Sequence, residues 1–135
     1  MGYWLLKADP DDYGWSHLER DGRAVWDGVT NPLALRHMRE ARKGDAAFLY
    51  HTGRDKAVVG LAEITSDPTP DPGDARLVVF EVTPRRRLQR PVTLAAIKAD
   101  PRFADFALVR MSRLSVMPVP AAVWQRLLKM AGEKA

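Results

Sequence analysis

The sequence predicts an α+β domain built on a small, curved or closed β-sheet with short flanking helices. Three observations carry this expectation. Apolar runs of strand length, rich in Val, Leu, Ile, Phe and Tyr, occupy the middle of the chain at 46–52, 57–65 and 76–83. The helical patterns are short and are inserted between strands. A chain of 135 residues has the size of one domain with one core, so residues 1–135 are expected to form a single unit.

Each element has a local reason. Tyr3-Trp4-Leu5-Leu6-Lys7 is an apolar strand stopped by Asp9-Pro10, and 10–20 reads as one or two helical turns with Ser16 as a cap. Asn31-Pro32 is an N-cap followed by proline at the first helical position. The helix it opens is predicted to run to about Lys43, with Leu35, Met38 and Ala41 on one face and Gly44 as its stop. Between the second and third central strands, 66–74 holds three prolines and a glycine, which predicts a loop. Beyond the basic run Arg85-Arg86-Arg87-Leu88-Gln89-Arg90, Thr93 caps a short helix through Ile97, and 101–106 forms another turn. A closing strand is expected over 113–119. Pro120 then opens a last helix that buries Val123, Trp124, Leu127 and Leu128.

Composition excludes several functions. With no cysteine there is no disulfide, thiolate metal site or cysteine nucleophile. The three histidines, His17, His37 and His51, are far apart and lack metal-ligand spacing, and no phosphate-binding or nucleophile-elbow motif is present, so no metal or cofactor is expected. No apolar stretch has the length of a membrane span, and the first residues lack the features of a signal peptide. The expected location is the cytoplasm, or the nucleus in a nucleated cell, and the expected state is a monomer. The first 30 residues hold three cations against six carboxylates, and the rest of the chain 18 against 11. A pI near 9.7 with this skew is compatible with phosphate backbones.

Trp26 stands out, because Val25-Trp26-Asp27-Gly28-Val29-Thr30-Asn31-Pro32 follows a large ring with turn chemistry where a strand hands over to a helix. Spacing alone leaves open a ring that stacks on a flat ligand and a core aromatic under a loop. Lys7 and Asp9, two residues apart at a strand end, read as a surface ion pair, as a grip on a polar ligand, or as a catalytic pair if desolvation lowers the lysine pKa. Tyr50 and His51 fall on opposite faces of their strand, so one of them can look into a pocket at its end, or both are a hydrogen-bonded strand-terminal pair with no ligand. Arg36, Arg39, Arg42 and Lys43 form a solvated helix face or a set of phosphate contacts. The run from Arg85 to Arg90, read as a loop tip, carries the same two readings.

In order, five blocks resemble the EVE domain: Tyr3 to Tyr13, Val25 to Asn31, Phe48-Leu49-Tyr50-His51, Val59-Gly60-Leu61-Ala62-Glu63 and Ser112-Arg113-Leu114-Ser115-Val116. The resemblance covers nearly the whole chain. It implies a PUA-like fold, a small β-barrel with flanking helices, related to YTH readers of N6-methyladenine and SRA readers of modified cytosine. It further implies a noncatalytic pocket for one modified base, cytosine-like or adenine-like, flipped out of DNA or RNA. On this resemblance Trp26 supplies a stacking wall, by alignment with the first cage tryptophan of YTH domains. Tyr50 and His51 line the side, Asn31 braces the loop or reaches the ligand, and Asp9 with Lys7 faces the base edge. Ser112, Arg113 and Ser115 are further candidates for ligand or phosphate contact.

The chain departs from the family pattern twice. It reads Lys7-Ala8-Asp9-Pro10 where Lys-Ser-Glu-Pro is usual, and it has Met111 where a glutamine is common. Two other functions fit parts of the sequence. ASCH-type relatives of the same fold include amidohydrolases acting on modified nucleosides, for which Lys7 and Glu63 supply two of three expected groups. The other is a protein interaction module on the same barrel.

Overall fold

A computed structural model describes residues 1–133. Seven strands form one curled sheet: β1 (Tyr3–Ala8), β2 (Ala24–Trp26), β3 (Ala46–His51), β4 (Ala57–Ile64), β5 (Thr69–Asp71), β6 (Asp74–Thr93) and β7 (Val116–Pro118). The order is β2-β6-β4-β3-β1-β7, with β5 added to the first part of β6. Among the described residues only β1 and β3 run parallel, Lys7 lying opposite Tyr50 and Ala8 opposite His51. This pairing brings the carboxyl ends of two central strands to the same edge. Irregular register between β4 and β6, around Val58–Gly60 and Leu61–Ala62, lets the 20-residue β6 bend. Among the described residues no pairing joins β2 to β7, so the sheet is a half-barrel.

Short helices cover both faces: α1 (Pro10–Tyr13), α2 (Trp15–Asp21), α3 (Pro32–Glu40), α4 (Leu94–Ala99), α5 (Ala107–Arg110) and α6 (Ala121–Met130), with a 3-10 turn at Pro101–Phe103. On one face Trp124 of α6 stacks on Phe48, with ring centroids 3.9 Å apart, and on Tyr3 at 4.6 Å. On the other, Trp15 of α2 is fully buried over β4, and its ring occupies the space a Cβ at residue 60 would need. Glycine at 60 is therefore a packing requirement. The predicted buried faces of α3 and α6 are present through Leu35, Met38, Trp124, Leu127 and Leu128.

Four local expectations are corrected. The Pro-rich stretch 66–74 contains β5, which pairs only with β6; as an edge strand it tolerates Pro70, whose missing N–H no neighbour requires. The basic run is not a loop tip but part of β6. Helix α3 ends at Glu40 because Ala41 turns extended (ψ 155°), while the Arg42 guanidinium donates to the carbonyls of Arg39 and Ala41. Gly14, not Ser16, precedes α2; the Gly14 N–H donates to His17 Nδ1.

Buried Asp45 fastens the start of β3. Its carboxylate accepts from the Trp4 indole, from Gly2 N–H and from Arg42 N–H, all at 2.9 Å. Burial opposes its charge, but these donors together hold its pKa below the usual carboxylate value.

Candidate functional site: a tryptophan-walled cleft at the carboxyl end of β1

Three distant segments meet where β1 ends and enclose a cleft of about 480 Å³. Lys7, Ala8 and Asp9 come from the strand end, with Asp12 and Tyr13 from α1. The end of β2 and the β2–α3 loop supply 25–31, and Arg113 and Ser115 come from the approach to β7. The chain is held here by its backbone: Lys7 N–H donates to Ser115 O at 2.9 Å. The Lys7 ammonium donates to Ser112 O at 2.8 Å, and its burial pulls its pKa below the usual lysine value. Lys7 thus ties the 112–115 segment to β1 at two points.

Trp26 ends β2, opposite Phe80 of β6. It is only 9% exposed, so most of the ring belongs to the core and the remainder faces the cleft. After it, Gly28 takes φ +72°, a left-handed value that glycine reaches without steric cost, and the chain turns toward α3. Asn31 caps α3 through Oδ1, which accepts from Ala34 N–H at 3.0 Å; its amide NH₂ remains as a donor at the cleft wall. Asp9 caps α1 by accepting from Asp11 N–H through Oδ1 at 2.9 Å, leaving its second oxygen as an acceptor.

Tyr13 is a second aromatic of the cleft that the sequence did not single out. Its ring stacks on His17, with centroids 5.4 Å apart, and its hydroxyl donates to Asp21 at 2.8 Å. Burial and this bond push its pKa up to about 12, so the hydroxyl stays protonated at neutral pH. The available signal was its place one short turn beyond the Asp9 cap. Around the rim, Lys7 and Arg113 stand against Asp9, Asp12 and Asp27. Such a mixture suits a neutral ligand with donors and acceptors better than a bare anion.

Of the residues expected together, Lys7, Asp9, Trp26, Asn31, Arg113 and Ser115 line this cleft. Tyr50 and Ser112 line a neighbouring cleft that shares Lys7. His51 lines neither. Its Nε2 accepts from Trp15 N–H at 2.9 Å and its Nδ1 lies 2.9 Å from Asp55 Oδ2, the arrangement of a neutral ring donating through Nδ1. Buried there, it pins the first turn of α2 to the end of β3.

The candidate phosphate contacts lie elsewhere. Arg39 and Arg42 border a groove beside β5, and Arg39 is eight residues along α3 from Asn31, about 12 Å at helical rise. Arg36 is exposed with Glu40 at 4.0 Å, and Lys43 N–H donates to Asp67. In β6, Arg85, Arg86 and Arg87 pair with Glu63, Glu133 and Glu19. The Lys7 and Glu63 pair considered for a hydrolase is not assembled. Glu63 lies level with Ala46 and Tyr3, offset from Lys7 by four residues or about 13 Å along the strand direction, with β3 standing between their two strands.

Comparison with known proteins agrees with the fold and with the sequence blocks. The EVE domain family model matches residues 2–130. Thymocyte nuclear protein 1 of Danio rerio is 26% identical over 167 aligned residues, which cover 96% of this chain and 72% of that protein. Rpa0253 from Rhodopseudomonas palustris, known from its NMR structure, is 43% identical with a TM-score of 0.93, over 98% of this chain and 94% of that one. The structure of human THYN1 protein in complex with 5-methylcytosine containing DNA superposes over 100% of both chains with a TM-score of 0.91 at 19% identity, which establishes a shared PUA-like half-barrel. No helix among the described residues is long and apolar enough to cross a membrane. The chain belongs to the EVE domain family.

Proposed function

We propose that this protein is a noncatalytic reader that binds one modified base, flipped out of DNA or RNA, in the Trp26 cleft. The observation carrying this reading is the convergence of Trp26 and Tyr13 with Lys7, Asp9, Asn31 and Arg113 from segments distant in sequence. Packing fixes the aromatic walls before any ligand arrives, and preorganised walls reduce the cost of ordering on binding. The free oxygen of Asp9 accepts from an exocyclic amine, which cytosine and adenine possess and thymine lacks. The cleft volume lies in the ordinary range for small-ligand sites. The complex of human THYN1 protein with 5-methylcytosine containing DNA makes 5-methylcytosine the first base to test.

The test is binding of matched oligonucleotides with 5-methylcytosine, N6-methyladenine or unmodified bases, measured by anisotropy. Trp26→Leu keeps apolar bulk but removes the ring; it should weaken the preferred modified strand by ~1–3 kcal/mol, the range for base–aromatic stacking. Equal affinity of folded Trp26→Leu and wild type for every strand would end this reading.

A further inference from the structure

Beside the tryptophan cleft lies a second one of about 300 Å³, and its chemistry is different. Lys7, Lys56 and Lys98 surround it, Thr52 and Ser112 add polar groups, and among the described residues no carboxylate lines it. Tyr50 is 3% exposed, and burial raises its pKa, so its hydroxyl remains a donor. That hydroxyl has no protein partner among the described residues, although the residue lines the cleft. The Lys7 ammonium lies 5.8 Å from the Tyr50 ring centroid. Lys56 is fixed in place: it holds φ +41° in the β3–β4 turn, and its carbonyl accepts from Leu94 N–H of α4 at 2.7 Å. Lys98 stands one helical turn along α4 from Leu94.

We propose that this cleft takes the phosphodiester adjacent to the base held by Trp26. Three ammonium groups without a lining carboxylate, together with a phenolic donor lacking an internal partner, form a site for a compact oxyanion. Lys7 lines both clefts, so the bound base and its neighbouring phosphate share one wall. The assignment rests on the base-reading function, and it gives the electrostatic role to lysines outside the arginine-rich segments.

The experiment titrates a 5-methylcytosine oligonucleotide, at several salt concentrations, into wild type, a Lys56→Gln/Lys98→Gln double variant and Tyr50→Phe. The double variant should bind about tenfold more weakly, as for loss of a charge-assisted contact. Its log affinity against log salt should flatten by about one. Tyr50→Phe keeps the ring and should lose affinity severalfold. An uncharged methylphosphonate next to the modified base should weaken wild type by a similar factor and the double variant by clearly less, through the Lys7 and Tyr50 contacts it retains. Free 5-methyl-2′-deoxycytidine, which carries no phosphate, should bind wild type and double variant alike. Unchanged affinity and salt slope in the double variant would overturn the proposal, as would an equal methylphosphonate loss in both proteins. Inorganic phosphate that occupies the cleft without competing with the oligonucleotide would overturn the phosphodiester assignment. If modified and unmodified strands bind alike but the lysine dependence persists, the base reading fails and the phosphate cleft stands.

Discussion

The basic run of β6 and the lysines beside β1 are both cationic, yet the structure uses them in opposite ways. Arg85, Arg86 and Arg87 lie along a strand and each meets a glutamate, from β4, the C-terminal segment and α2 respectively. Lys7, Lys56 and Lys98 come from three separate elements and converge on a cleft with no carboxylate in its lining. Density of charge along a sequence is therefore a poor guide to a binding surface. What matters is whether the fold supplies an internal counter-charge, because a paired guanidinium must give up one partner to gain another.

The comparison can be broken by experiment, beginning where the largest effect is expected. Gly60 faces Arg87 in the β4–β6 register and lies under Trp15, so Gly60→Ala should destabilise by about 3 kcal/mol or more through overpacking. Chemical denaturation measures this. If that variant retains wild-type stability, the arginine face does not depend on close docking of α2. Trp26→Leu comes next, with the affinity loss given above; because Trp26 is also a core ring, its thermal melt must be read alongside.

Arg87→Gln is expected to be small. Its pair with Glu19 is exposed, so stability should fall by ~0–1 kcal/mol, with the salt slope for nucleic acid unchanged. A flattened slope would move phosphate contact onto β6 and dissolve the contrast. The subtlest test is pH. Glu133 has its pKa lowered by Arg86 and by Gln89 N–H, so its contribution to stability is present above the usual glutamate value and is lost as pH falls through its folded pKa. Glu133→Gln should therefore differ from wild type at neutral pH and converge with it in acid. Lys7 shifts in the opposite sense. Its folded pKa lies below 10.5, so the unfolded chain binds more protons between the two values and wild-type stability rises with pH across that window. Lys7→Met should lack this rise in pH-dependent denaturation.

Local signals were legible where short-range physics decides. Asn31-Pro32 marks the start of α3 and Thr93 that of α4, because a cap needs only its own side chain and the next turn. Lys7, Asp9, Trp26 and Asn31 were legible as a set through the order of motif blocks. Tyr50 and His51 illustrate the opposite case. Alternation placed them on opposite faces, but only the packed α2 shows that His51 is consumed as a partner for Trp15 N–H and Asp55, while Tyr50 keeps a hydroxyl without one. Likewise 66–74 reads as loop on proline content, and its pairing with β6 depends on a strand end that leaves one edge free.

The sequence by itself determined the α+β class, the capped helices, the family and the turn after Trp26, all of which follow from residues near one another or from their linear order. Only the tertiary structure decided which cations are neutralised, that Tyr13 joins Trp26, and that Lys7 stands between two clefts. These depend on the parallel pairing of β1 with β3 and on the bend of β6, contacts between residues tens of positions apart. Charge and aromaticity belong to the residue, but availability belongs to its neighbours, and the neighbours are chosen by the fold.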